Sequence, residues 1–408
     1  MLRDALHGTK VLDFTHIGAG PTCAMLLGDM GARVIKIEPI DGDMGRRLGP
    51  PWIGSDSALF HGFNRNKLGV AIDLKHPKGR DTALRLAENA DVIVESMRPG
   101  VMSRLGLGYD DVARINPGLV YCSLSAYGQG GPYAERPGVD GILQADSGLM
   151  SIIGNPGGEP VKVQAPVVDV FSGYTAALGV VARLLKRASD GTGGHLDASL
   201  FNSAIALQQS ALTMFLADGE VPERLGSAAP YSAPNEAFET AEGWIMVAAF
   251  TPDRWADLCA LLGCPELIAD ARFSTSPLRV ANRPQMRAAL TPYFKRKSAA
   301  AWLAAFQAAD ILCAPVSDYA TLLAHPQLHA NAMIVTVEHP AFGAIRQPGF
   351  PIDSCEANKR GHRPAPGIGE HSIEILADAG FSAAEIETLL NERVIKGKDD
   401  LHDDESNA

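Results

Sequence analysis

The chain has 408 residues, and its 36 Lys+Arg against 47 Asp+Glu leave a formal net charge of −11. At roughly 150 residues per domain, this length predicts two or three domains with a sizeable core; 46% hydrophobic and 20% charged residues exclude a globally disordered chain. The negative balance excludes a general nucleic-acid binder, which needs clustered Lys and Arg against phosphates, but leaves small anionic ligands open, because these answer to local cations.

The first 125 residues alternate strand and helix signals. Lys10–Thr15 is a short apolar strand, and Thr22–Met30 a helix with Ala24, Leu26, Leu27 and Met30 at helical spacing. Val34–Glu38 and Leu68–Leu74 are further strands. Lys78–Ala90 is a helix, Asp91–Glu95 a strand, Tyr109–Asn116 a helix and Leu119–Leu124 a fifth strand. Strands separated by helices imply right-handed crossovers and an α/β fold with a mostly parallel sheet. Ala165–Leu185 reads as a long apolar helix, 189–194 as a turn and His195–Phe215 as a second helix. A Pro- and Ala-rich loop at 226–238 marks a composition shift. The strand Gly243–Ala249 and the helices Thr251–Leu262 and Ser298–Ala309 then place a smaller α+β domain at 225–330. Ile334–Ile352 is strand-like again. The polar, acid-rich tail 396–408 has no apolar face to bury, so disorder is expected there.

Six cysteines are too sparse for a disulfide framework, and the close pair Cys259 and Cys264 lies in an apolar helix end, where core thiols are expected. His325 and His329 flank Pro326, so no histidine pair has ligand spacing on one helix and no metal is expected. The first ten residues lack an apolar region typical of a secretory signal. No apolar run approaches about 20 residues, so no membrane span is expected. A cytoplasmic location follows as the expectation.

Two local patterns carry chemistry. His16-Ile17-Gly18-Ala19-Gly20-Pro21 follows a strand and opens a helix; Gly18 and Gly20 let the backbone approach a phosphate, and Pro21 suits a first helical turn. Glu38 stands twenty residues after Gly18, where a dinucleotide fold keeps its ribose acid, but Cys23 replaces the third glycine. Two readings stand, a nicotinamide dehydrogenase site or a packed joint with some other anion site, and the partial pattern favours the second. Asp169 lies in Gln164–Gly179 among Val167, Val168, Val170 and Phe171, just after Pro166. It is either a helix cap satisfying its own amides or a poorly hydrated carboxylate able to attack carbonyls.

Several segments in chain order resemble the family III CoA-transferases, the formyl-CoA transferase and carnitine CoA-transferase group. They are GTKVLDFTHIGAGPTCAMLLGDMGARVIKIE, GFNRNKLGVAIDLKHPKGR, ESMRPGVMSRLGLGYDDV, INPGLVYCSLSAYGQGGPYAERPGVD and PAPGIGEHSIEIL. The resemblance implies a Rossmann-like, CoA-binding large domain from 1–224 and 331–395, a small domain between them, and two chains interlocked like linked rings in a homodimer. It makes Asp169, in APVVDVFSG, the nucleophile of a transfer from an acyl-CoA to a free acid, through anhydride and aspartyl–CoA thioester intermediates. Coenzyme A and its thioesters are then substrates, with no separate cofactor. The matching positions for coenzyme A are His16, Ile17, Lys67, Ser96, Met97, Arg98, Arg104 and Asp140. Asp41 to Lys67 is similar to the succinyl-CoA-dependent dicarboxylate branch, with Gly18, Arg46 and Arg47 as the substrate-binding candidates. Related 2-methylacyl-CoA racemases use a His where this chain has Val139, and an apolar side chain cannot shuttle their proton. A non-catalytic CoA-binding protein is a further rival.

Overall fold

The computed structural model describes residues 2–359 and 361–398. Contacts divide the chain into a first unit of residues 1–149, 162–219 and 326–408, and a second of residues 150–161 and 220–325. The sequence bounds of 225 and 330 each lie five residues further along, and nothing in the sequence pattern marked 150–161.

The first unit is organised on six parallel strands: β1 (Lys10–Phe14), β2 (Arg33–Glu38), β3 (Lys67–Ile72), β4 (Val92–Glu95), β5 (Val120–Ser125) and β6 (Gly194–Ser199). They lie in the order β3-β2-β1-β4-β5-β6, with Ile395–Lys396 pairing antiparallel at the outer edge of β3. Leu12 faces Ile35 on one side and Ile93 on the other. Every residue of β3, β4 and β5 is buried, as a sheet covered on both faces requires.

Alternation along each strand feeds two cores. Val11, Val34, Val92, Val94 and Cys122 pack with the helices α1 (Ala19–Asp29) and, further along the chain, Val167–Asp190. Leu12, Ile35, Ile93 and Tyr121 pack on the opposite side with Pro77–Ala87, Ser372–Asp378 and Ala383–Asn391. Two further helices matter below, α2 (Asp140–Asp146) and α3, the long Val167–Asp190 element. Where α3 crosses α1, Gly173 is in contact: a Cβ there would lie 2.7 Å from the Ala19 carbonyl.

Three expectations need correction. His195–Phe215 is not one helix but β6 followed by Leu200–Leu207 and Gln209–Asp218. β6 is an outer strand with alternate residues half-exposed, so it lacks the apolar run that revealed its neighbours. At 24 residues, α3 is long and apolar enough to cross a membrane; its charges interrupt the run in sequence, but its average stays apolar. Its stripe of Val168, Ser172, Gly173, Ala176, Ala177 and Val180 is buried, as in a core helix. The tail expected at 396–408 includes Lys396, which is instead in the edge strand; residues 399–408 lie outside the described residues.

The second unit holds a three-stranded antiparallel sheet of Asn235–Glu239, Trp244–Ala248 and Leu312–Pro315, with Trp244–Ala248 central. Its core stacks Phe238 on Phe294 and Trp302 on Phe306, and Cys259 and Cys264 are buried in it as free thiols.

Candidate active site

The strand order reverses between β1 and β4, and ligands of open parallel sheets bind outside the carboxyl ends of the strands at such a point. A cleft of about 410 Å³ opens there. Its walls come from the turn after β1 (His16–Gly20), the turn after β4 (Ser96–Pro99), the end of β5 (Leu124–Ala126) and the segment Arg136–Val139, with Met44 and Leu200 adding apolar surface. Asp169 projects into the same cleft from the first turn of α3.

The turn after β1 is held in a costly shape. Ile17 has φ +70°, a left-handed conformation that a β-branched residue rarely takes. Its amide donates to Asp43 Oδ1 at 3.4 Å, and the His16 amide donates to Ser96 Oγ at 3.0 Å, tying this turn to the one after β4. Burial would raise the Asp43 carboxyl, but Lys36, 2.7 Å away, and His16 overcome it and hold it far below the usual range. Gly18 then lies against Asp169, since a Cβ on it would collide with that carboxylate. The amides of Ala19 and Gly20 open α1 beside it; as first helical N–H groups they have no acceptor inside the helix.

Asp169 is neither capping nor capped by its own side chain. The cap residue of α3 is Pro166, which offers no acceptor side chain. Asp140 serves instead: its Oδ2 accepts from the Val168 amide at 2.8 Å and the Asp169 amide at 3.1 Å. Gln144 donates to Asp140 Oδ1 and is bonded at both ends of its amide to the Val163 backbone, which fixes the approach to α3. Burial, and then the Asp140 charge, push the Asp169 carboxyl up to about 7. A carboxylate so destabilised is reactive when ionised.

Of the positions read from sequence, His16, Ile17, Gly18, Ser96, Met97, Arg98 and Asp169 converge on this cleft. Five others do not line it. Lys67 is wholly buried, and its ammonium donates to Asp13, Asn64 and the Pro21 carbonyl, which uses all three donors. Arg46 is buried over Phe60 and spent on Glu38, Asp56 and the Pro366 carbonyl. That same pair leaves Glu38 no free oxygen for a ribose. Arg47 is exposed and meets Asp41 at 3.3 Å. Arg104 is exposed at the end of Val101–Arg104, outside the lining. Asp140 stands one layer behind, holding the helix rather than facing the cleft. The Pro- and Ala-rich loop at 226–238 belongs to the second unit.

Sequence reading missed Arg136, Met44 and Glu95. Arg136 sits in an irregular segment with no periodic signal. Glu95 ends β4, accepts from the Met97 amide at 2.8 Å and so shapes that turn; burial pushes its carboxyl up to about 7. Among the described residues no three His, Cys, Asp or Glu side chains gather as a metal-holding group.

The family model described as CoA-transferase family III matches residues 6–372. The chain is 36% identical over 374 residues to the Homo sapiens succinyl-CoA:glutarate CoA-transferase, covering 91% of this chain and 85% of that one. It is 33% identical over 380 residues to the succinate–glutarate CoA-transferase of Agrobacterium fabrum, covering 91% and 95%. A CaiB/BaiF family crystal structure from Brucella suis superposes with a TM-score of 0.82 at 32% identity, covering 92% and 99%.

Proposed function

Because the chain belongs to CoA-transferase family III and is a CoA-transferase, we propose that it moves coenzyme A from a dicarboxylyl thioester such as succinyl-CoA to a free dicarboxylate such as glutarate, with Asp169 as the nucleophile. The single observation that carries this reading is a carboxylate pushed up to about 7 inside an apolar-walled cleft at the sheet's switch point. Asp169 attacks the thioester carbonyl, forming a mixed anhydride and releasing CoA thiolate. The thiolate attacks the aspartyl carbonyl, expelling the donor acid and leaving an aspartyl–CoA thioester. The acceptor carboxylate attacks that thioester to form a second anhydride. The thiolate then attacks the acceptor's acyl carbonyl, giving the new acyl-CoA and restoring Asp169. No bond needs external energy, because each anhydride and thioester is made at the expense of another. The amides of Ala19 and Gly20 are suited to the oxyanions that develop, and Ile17, Met44, Met97 and Leu124 to keeping water from the intermediates.

Val139 in the cleft wall supports transfer over racemisation, since it has no proton to give. The β3-β2-β1-β4-β5-β6 order supports a Rossmann-like large domain. His16, Ile17, Ser96, Met97 and Arg98 remain the positions suited to coenzyme A. Leu178 (70% exposed), Leu185 (75%) and Leu216 (73%) leave an apolar surface on the first unit's helices; a second copy, interlocked with the first, is the occupant this reading assigns. Freely diffusing substrates fit a cytoplasmic location.

The test is transfer from succinyl-CoA to glutarate, followed by mass spectrometry of the protein in ¹⁸O-labelled water. A CoA adduct on the peptide carrying Asp169, and loss of at least 10³-fold in transfer by a folded Asp169→Ala variant, are expected. Transfer by that variant near the wild-type rate sinks the assignment.

A further inference from the structure

Three candidates stand outside the chemistry above: the His61–His339–Phe342 ring cluster, the small-residue groove beside β6, and the cation at Arg136. The two histidines of the first are buried, and the second is lined by Asp197, Thr175, Ser199 and Asn202 with no cation to meet an anionic substrate. The third faces the cleft.

Arg136 lines the same cleft as Asp169, with its guanidinium 3.6 Å from the centre of the Tyr133 ring. Among the described residues it makes no ion pair and its side chain no hydrogen bond. Arg46 and Arg47 are by contrast committed to Glu38, Asp56 and Asp41. A guanidinium held over a ring and without hydrogen bonds has its N–H groups unspent, and these can pair a carboxylate through two parallel bonds. Its segment is tied to the helix that holds the reacting group. Gly138 packs on Ala126 and Leu143, where a Cβ would lie 2.8 and 2.5 Å away. Asp140, four residues on, bonds the Asp169 amide, and four residues span at most about 14 Å even when extended. Arg98, the other unpaired cation of the lining, stands instead on the Ser96–Pro99 turn after β4.

We propose that Arg136 receives the non-reacting carboxylate of the acyl group and so selects dicarboxylates over monocarboxylates. The inference rests on the transferase reading above and names the group that sets its substrate class. When Asp169 meets one end of the acid, Arg136 turns from Tyr133 to the other end.

An anionic ligand on this arginine has two possible sources, the acyl carboxylate and a CoA phosphate, and the experiment separates them. Transfer from succinyl-CoA is measured with glutarate and with pentanoate as acceptors, and the dissociation constant of free CoA is measured by calorimetry, for wild type, Arg136→Gln and Arg136→Lys. The proposal expects Arg136→Gln to raise the KM for glutarate at least tenfold, to lower the glutarate-to-pentanoate ratio of kcat/KM at least tenfold, and to leave CoA binding within twofold. Arg136→Lys recovers part of the ratio. An unchanged ratio overturns the proposal, as does a CoA dissociation constant that rises in step with KM, which assigns the cation to phosphate. A wild type that transfers CoA to pentanoate but not to glutarate overturns this inference and the dicarboxylate acceptor, and leaves transfer through Asp169 standing; a wild type that transfers to neither removes all three.

Discussion

A carboxylic acid titrating near neutrality ties rate to pH in one direction. Asp169 must be ionised to attack, and burial together with Asp140 sets its pKa at about 7. kcat/KM therefore rises with pH through about 7 and levels off above it. Asp140→Asn removes the like charge but keeps an oxygen able to accept from Val168 and Asp169. The acid limb of the profile is then expected to move to lower pH while the plateau falls by less than about tenfold; a pH–rate series on both proteins checks it, and an unmoved limb assigns the shift to burial alone. The same scale explains what sequence reading of the site could reach. His16–Gly18, Ser96–Arg98 and Asp169 are part of local patterns that dictate where they point: a strand end, a tight turn, a helix start. Lys67 and Arg46 occur in equally suggestive patterns, but a linear sequence does not say that their acids, Asp13, Glu38 and Asp56, return to meet them inside the protein. Arg136 lies in a segment whose shape is set by Leu143 and Ala126, so nothing local announced it.

Helix packing decides how near the nucleophile comes to its turn. α3 approaches α1 closely because Gly173 has no side chain where Thr22 and the Ala19 carbonyl press against it. Gly173→Ala is expected to cost about 1–3 kcal/mol by overpacking, read as a lower thermal midpoint. It is also expected to lower kcat more than it raises KM for CoA, because the shift moves Asp169 away from Gly18. Elements were legible in proportion to burial. β1 to β5 are enclosed by helices and appear in the sequence as short, Val- and Ile-rich segments of four to six residues. β6 is half-exposed and followed directly by a helix, so His195 to Ser199 merged with the apolar stretch after it. The two-residue strand Ile395–Lys396 is too short for any period to register.

Whole-molecule behaviour turns on apolar surface. Leu178 and Leu185 project from α3, whose opposite stripe is buried, and Leu216 from Gln209–Asp218, which buries none of its residues; such exposed leucines favour association. The double variant Leu178→Glu with Leu185→Glu is expected to weaken self-association at least tenfold in sedimentation equilibrium while leaving the circular-dichroism spectrum unchanged. Undiminished association excludes this surface as the interface. The interlocked pair proposed above cannot be read from periodicity, because a pattern of apolar positions is the same whether the covering surface is the chain's own or another's.

Asp140 does two jobs across a 29-residue gap: it terminates α3 at the backbone and depresses the acidity of the side chain that α3 presents. Transplanting Val167–Asp190 into a foreign scaffold would carry the reactive residue without its reactivity. The smallest portable piece of this catalyst is thus the two helices, the strap between them and the packing that buries Asp169, and a designer who copies only the obvious helix inherits an ordinary aspartate.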